Sequence, residues 1–278
     1  MAYHHLVRLL LVIAVWPVIL QAQEAREIVR RSVEHDQRNN EIARNYTFLE
    51  RAEERELDNS GKVKRVESTT EDITLLEGSP YRRKLARNDQ PLSPKEEKEE
   101  QNKLQNSIEQ RRKETPEQRE HRLAEWDRRR EKQREPFREI PDAFDFRMVG
   151  EESLNGGQAW VIDATPRGGY KPKSREATFF SRVKARFWID KSDYQWVKLE
   201  VDVTNTLTFG GVLFRIAKGG HVTMEQTRVN NEVWLPKSIS GRGQMRIALV
   251  KVLRGELLVS FTNYKKFQAD SRLVPTGQ

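Results

Sequence analysis

Side chains able to do covalent chemistry are few in this sequence. Cysteine is absent, and histidine occurs only at His4, His5, His35, His121 and His221. Thiol nucleophiles, zinc–thiolate centres and disulfide frameworks all need cysteine, so the three are excluded together. A Ser-His-Asp relay or a histidine-rich metal centre needs imidazoles with partners at hand. His35, His121 and His221 each stand alone in the chain, His35 on the polar side of an expected helix and His221 at the start of an expected strand. Gly168-Gly169-Tyr170-Lys171-Pro172-Lys173-Ser174 has the composition of a phosphate loop. It lacks the glycine before lysine, and Pro172 interrupts it, so the backbone cradle is not expected. Asp190 and Asp193 bracket a turn, where carboxylates cap local backbone N–H groups. Asn45-Tyr46-Thr47 matches a glycosylation acceptor, a pattern with meaning only in a eukaryotic secretory setting. The sequence therefore predicts no catalytic residue, no metal, no cofactor and no enzymatic activity.

The apolar and aromatic residues are more informative. Trp160, Ile162 and Ala164 alternate along one segment; Val183, Ala185, Phe187 and Ile189 along another; Leu199, Val201 and Val203 along a third. Side chains two apart in a strand share a face. Arg182, Lys184, Arg186 and Trp188 must then lie on the opposite face from Val183 to Ile189. Trp160, Ile162, Val183, Phe187, Ile189, Leu199, Val201 and Val203 are the candidate ligand-lining set. Two readings are open for them: plain core packing beneath helices, or the wall of an apolar cavity.

The elements that position this face follow from periodicity. Leu9 to Leu20 is an apolar run of 12 residues with Pro17 inside it, too short for the ~20 residues of a membrane-spanning helix. It reads as the h-region of a signal peptide covering residues 1–22, cleaved near Ala22. The remaining 23–278 reads as one exported, soluble domain. Ala25 to Asn45 reads as an amphipathic helix, with Ile28, Val29, Val33, Ile42 and Ala43 on one stripe. A three-stranded meander follows, Tyr46 to Leu57, Val63 to Leu76 and Tyr81 to Ala86, with Asp58-Asn59-Ser60-Gly61 as its first turn.

Lys95 to Glu135 differs in kind: 25 of its 41 residues are charged, 13 basic and 12 acidic. Thr115-Pro116 looks like an N-cap followed by proline at the first helical position. Two solvated helices with a break near Pro116 are expected, an exposed insertion at about 94–136. Such nearly balanced charge argues against nucleic acid as a partner, because phosphate binding needs clustered Lys and Arg. The whole chain, at 50 basic and 42 acidic side chains, is likewise only modestly basic.

Beyond residue 143 the period becomes two. Phe144 to Val149, Gln158 to Ala164, Val183 to Asp190, Gln195 to Thr204, Gly211 to Lys218, His221 to Val229, Val233 to Met245 and Leu257 to Phe267 read as strands. The turns between them include Asn155-Gly156-Gly157, Gly219-Gly220, Asn230-Asn231 and Arg254-Gly255. Short turns without crossover helices mean antiparallel pairing. The fold class is α+β: a large curved antiparallel sheet, an incomplete β-barrel, covered by helices and carrying the charged helical insertion.

Gly-Gly-Gln-Ala-Trp-Val-Ile-Asp at 156–163 and Arg-Phe-Trp-Ile-Asp-Lys-Ser-Asp-Tyr-Gln-Trp-Val-Lys-Leu-Glu at 186–200 come after a leader, a helix and a meander. This order resembles the outer-membrane lipoprotein-sorting superfamily, the periplasmic lipoprotein carriers. The resemblance implies a half-barrel closed by helices around an apolar cavity that holds acyl chains. It implies a periplasmic carrier or binding protein, non-catalytic, with a lipid or acylated lipoprotein as partner and transient membrane contact. The alternative is a periplasmic sensor or scaffold that docks an envelope protein through the charged insertion.

Overall fold

The computed structural model describes residues 2–209, 214–247 and 251–267. The first helix, α1 (Ala2–Ala43), runs from the apolar run at 9–20 into the expected amphipathic segment without a break. From Ala25 it presents Ala25, Ile28 and Val29 inward, all buried, with Val33 packed beside them. Ser32, Asp36 and Asn39 are buried on the next turns. These positions follow the three- and four-residue spacing of one helical face. The inward stripe thus changes from apolar to polar along the helix.

The chain then forms β1 (Tyr46–Leu57), β2 (Val63–Leu76), β3 (Ser79–Arg87) and the two-residue β4 (Gln90–Pro91). The expected meander therefore has a fourth strand. Asn88 and Asp89 both take left-handed backbone conformations in the turn before it, as short hairpin turns require.

Two helices follow, α2 (Pro94–Arg112) and α3 (Pro116–Arg134). Each begins with a reciprocal capping box and proline at its start: Ser93 with Glu96, and Thr115 with Gln118. The side-chain oxygen and the third residue each satisfy a backbone N–H that the helix leaves unpaired. The break at Pro116 is where the sequence places it. No residue of α3 is buried, yet the insertion is clamped at the α2–α3 turn and at the end of α3. Arg111 donates to the carbonyls of Leu76 at 2.6 Å and Ser79 at 3.1 Å. Arg122 pairs with Glu114 at 2.6 Å and donates to the Ser79 hydroxyl at 2.6 Å. Farther along, Arg130 and Arg134 reach Asn40 and Asp36 on α1.

A 3₁₀ turn (Glu135–Glu139) and α4 (Ile140–Ala143) bury Pro136, Ile140 and Ala143. The sheet resumes with β5 (Phe144–Leu154), β6 (Gly157–Pro166), β7 (Val183–Asp190) and β8 (Trp196–Val203). A second 3₁₀ turn (Glu176–Arg182) before β7 buries Ala177 and Phe180. Neither 3₁₀ turn is foreseen by strand or helix periodicity. Next come β9 (Leu207–Phe209), β10 (Phe214–Ile216), β11 (His221–Val229), β12 (Val233–Ile247) and β13 (Lys251–Lys266). Of the expected strand Gly211 to Lys218, residues 211–213 lie outside the described residues, and among the rest β10 covers Phe214–Ile216.

All pairings are antiparallel, in the order β4-β3-β2-β1-β13-β12-β11-β8-β7-β6-β5, with the β9–β10 hairpin attached to β12. Eleven strands form the main path, and its outer strands β4 and β5 do not meet. The sheet is curved and open, an incomplete barrel. Bulges at Thr47/Leu49, Thr70/Glu71, Met148/Gly150, Trp188/Ile189 and Glu225/Gln226 bend it, since an extra residue on one strand kinks the ladder.

The expected turn at Arg254-Gly255 is overturned. β13 runs straight through it, with Gly255 opposite Gly243 of β12 and Glu56 of β1. A Cβ on Gly255 would sit 2.6 Å from the Arg55 carbonyl oxygen. The glycine marks a close backbone approach inside a strand rather than a chain reversal. At Asn155-Gly156, by contrast, both residues have positive φ, 55° and 81°, and the expected hairpin is formed.

Candidate functional site

The helix-covered face of β5–β8 carries the main core. Ile162, Val183, Phe187, Ile189, Leu199 and Val203 are all buried there against Ile28, Val29, Ile140 and Phe144. Trp160 and Val201 are half-buried at its margin. The alternation therefore brings all eight candidate residues to one face, and α1, α4 and the two 3₁₀ turns cover them.

Trp160 stacks obliquely on Tyr194, ring centroids 5.2 Å apart, with Lys191 Nζ 5.6 Å from its ring centroid. Ile162 and Ile189 are completely buried. Phe187 and Leu199, of the eight, line a small pocket of about 30 Å³. Its other walls are Val29 and Val33 of α1, Phe137 and Ile140 of the cover, and Trp196 of β8. That is room for about two waters at roughly 10–15 Å³ each, so in this conformation the cover rests closely on the sheet. Phe137 is 36% exposed at the rim.

Trp196 reaches this face because β8 bulges. Trp188 pairs with Lys198 and Ile189 with Trp196, which leaves Val197 as the extra residue. Val197 turns to the other face and joins Ala159, Val161, Trp188 and Trp234 in a second apolar cluster. Trp188 lies opposite Phe187 as expected, but it is not on a bare polar surface. Lys198 Nζ covers its ring at 4.3 Å, and its indole N–H donates to Glu152 at 2.8 Å.

Polar groups close one end of the pocket. Asp36 is buried and pairs with Arg134 from the end of α3. Gln195, fully buried, donates to Asp36 at 3.1 Å and to Gln226 at 3.3 Å. His35 Nδ1 lies 3.3 Å from the Gln195 side-chain oxygen. Every member has a partner, which a buried polar network requires if it is not to destabilise its surroundings.

The sequence features set aside as structural have structural roles. Asp190 accepts from the Ser192 amide at 2.8 Å, and Asp193 accepts from the Gln195 amide at 3.0 Å and the Trp234 indole at 2.8 Å. His221 lies 2.7 Å from Asp202 and 3.1 Å from Thr223. The 168–174 loop wraps a carboxylate of the protein itself: Glu139 accepts from the Lys173 amide at 2.9 Å, the Ser174 hydroxyl at 3.0 Å and the Tyr170 hydroxyl. Burial alone would raise the Glu139 pKa, but these donors hold its carboxyl below the ordinary range. Burial and the same carboxylate push the Tyr170 phenol up. Among the described residues no group of three or more His, Asp and Glu side chains is arranged to hold a metal. None of the described helices is long and apolar enough to cross a membrane.

Sequence reasoning missed Asp36, Arg134, Phe137 and Trp196 as neighbours of the candidate face. They come from three separate stretches of the chain, with Arg134 and Phe137 on either side of the α3 end. An acidic residue on the inward stripe of α1 and Pro136-Phe137 followed by Ile140 were the available signals.

No family model matches the chain, and no curated protein matches it. Solved structures do. One is a DUF1329 family protein from Desulfovibrio piger, 10% identical, aligned over 91% of this chain and 95% of its own with a TM-score of 0.32. A putative outer membrane lipoprotein-sorting protein domain from Vibrio parahaemolyticus is 10% identical over 88% of this chain and 95% of its own, TM-score 0.30. A LolA superfamily protein from Nitrosomonas europaea is 11% identical over 88% of this chain and 93% of its own, TM-score 0.29. The Vibrio domain carries the name of the superfamily that residues 156–163 and 186–200 resemble, a distant likeness.

Proposed function

We propose that this chain is an exported, non-catalytic binding protein that takes an apolar chain between α1 and the helix-covered face of β7 and β8. The observation that carries the reading is the seam at Phe187 and Leu199. There an apolar pocket opens at a rim where Phe137 is partly exposed, and an ion pair between buried Asp36 and half-buried Arg134 helps tie the end of α3 to α1. The present volume is too small for an acyl chain, so entry requires Phe137 and the start of α4 to move off Val33 and Leu199. A ligand burying about 300 Å² gains about 7 kcal/mol at about 25 cal/mol per Å², before ordering costs.

The test is one substitution and two measurements. Val33→Phe enlarges a side chain on the pocket wall. Fluorescent fatty-acid binding should fall at least tenfold while the melting temperature stays within a few degrees. A wild-type protein that binds no fatty acid, and yields no lipid in native mass spectra after purification from membranes, would overturn the reading. A stoichiometric protein partner in those spectra would favour the docking role for α2 and α3, which expose most of their surface.

A further inference from the structure

The Asp36–Arg134 pair closes one end of the apolar pocket, and open space resumes on its far side. Beyond it lies a wider cleft of about 320 Å³ between α1 and α3, and Gln37 and Arg134 line both spaces. Five guanidinium groups face this cleft: Arg44, Arg128, Arg130, Arg134 and Arg138. Three carboxylates face it as well, and they are engaged. Glu41 and Asp127 lie 3.2 Å and 3.0 Å from Arg44, and Glu131 pairs with Arg138. With Asp36 counted as the partner of Arg134, four carboxylates stand against five guanidinium groups, an excess of one positive charge.

The excess has a location. Among the described residues, Arg128 and Arg130 have no carboxylate in ion-pair contact. Arg130 instead donates to the Asn40 carbonyl at 3.1 Å. It shares the Trp126 ring with Arg44, the two guanidinium carbons lying 5.0 Å and 5.4 Å from the ring centroid. Burial and the neighbouring charges of Arg44 and Arg134 disfavour its charged form. An anion placed in the cleft would relieve that, and a planar guanidinium is suited to carboxylate or phosphate oxygens.

We propose that the cleft is the headgroup end of the binding site, so that the ligand is a single-chain amphiphile with an anionic headgroup. This rests on the reading that the adjoining pocket takes an apolar chain. The tail lies against Val33, Phe187 and Leu199, and the carboxylate or phosphate lies between Arg128 and Arg130. Arg134 stands at the junction, where it can exchange Asp36 for the ligand anion, so that headgroup binding loosens the tie that closes the pocket.

The test compares ligands that share a tail. Oleate, oleoyl lysophosphatidate, oleoyl lysophosphatidylcholine and oleyl alcohol compete against a fluorescent fatty acid on the full chain, at low and at high salt. At least one of the two anionic ligands should bind about tenfold or more tightly than the alcohol and the zwitterion, the expectation for a desolvated charge-assisted contact. The preference should shrink to about twofold in Arg128→Gln/Arg130→Gln and weaken with salt. Oleate and lysophosphatidate differ only in headgroup, so their ranking separates carboxylate from phosphate. Equal binding of all four ligands would overturn the anion assignment and leave the apolar-chain reading standing. Binding of none would overturn that reading itself. A tenfold preference that survives both substitutions unchanged would also overturn the assignment, because the headgroup would then be bound elsewhere.

Discussion

The side-chain amide of Asn39 pairs with both main-chain groups of Trp234: its nitrogen donates to the carbonyl at 2.7 Å and its oxygen accepts from the amide at 2.8 Å. A residue of α1 thus satisfies a buried stretch of β12 as a neighbouring strand would. Asn39→Ala should remove both bonds and leave two buried backbone groups unpaired, costing about 2–4 kcal/mol. Thermal or urea unfolding measures this. A loss below about 0.5 kcal/mol would mean that water replaces the amide and that α1 is not fastened there.

Glu139 makes stability depend on pH. Its folded-state pKa lies below its unfolded value, so the unfolded chain binds the proton more readily. The stabilisation is complete above the ordinary glutamate pKa of about 4.3 and is lost as pH falls through the lower folded value. Glu139→Gln should therefore flatten the acid limb of the stability–pH curve between wild type and variant. Parallel acid limbs would show that the loop at 170–174 does not depend on the ionised carboxylate.

Removing the insertion should expose a cost that exposure alone does not reveal. Deleting 95–135 with a Gly-Ser bridge leaves Asp36 buried without Arg134, and an orphaned buried charge costs about 3–5 kcal/mol. Adding Asp36→Asn to the deletion should recover much of that while the sheet unfolds cooperatively in both. If the double variant is no more stable than the simple deletion, the ion pair is not what holds the insertion to α1.

Gly255→Ala places a methyl group 2.6 Å from the Arg55 carbonyl oxygen, where only backbone can give way. About 1–3 kcal/mol of destabilisation is expected from such overpacking. Ala at Gly168, which has open space around it, is the control and should change stability by less than about 0.5 kcal/mol.

The sheet was legible because its strands are half-buried and alternate. Val183 to Ile189 and Leu199 to Val203 declare one face by residue type alone, and that face is where the core lies. The capping of α3 was legible from Thr115-Pro116. Gly255 misled because a glycine beside an arginine carries the same local signal whether the chain turns or two strands crowd. The cover at 135–143 and 176–182 was illegible because single 3₁₀ turns are too short to repeat a period. For the same reason the site was only half visible. Phe187 and Leu199 could be placed by alternation, whereas Asp36, Arg134 and Phe137 meet them only through tertiary packing, and a bulge at Val197 decides the side on which Trp196 lies.

The pairing of β1 with β13 joins residues some two hundred positions apart. Non-local pairing of this kind slows folding, because a long loop must close before any contact rewards it. Until β13 has been made, β1 lacks its second neighbour, and the meander of β1 to β4 remains a separate ribbon with little core of its own. A chain built this way completes its sheet only once β13 is present. That strand, held between β1 and β12, zips the two halves together.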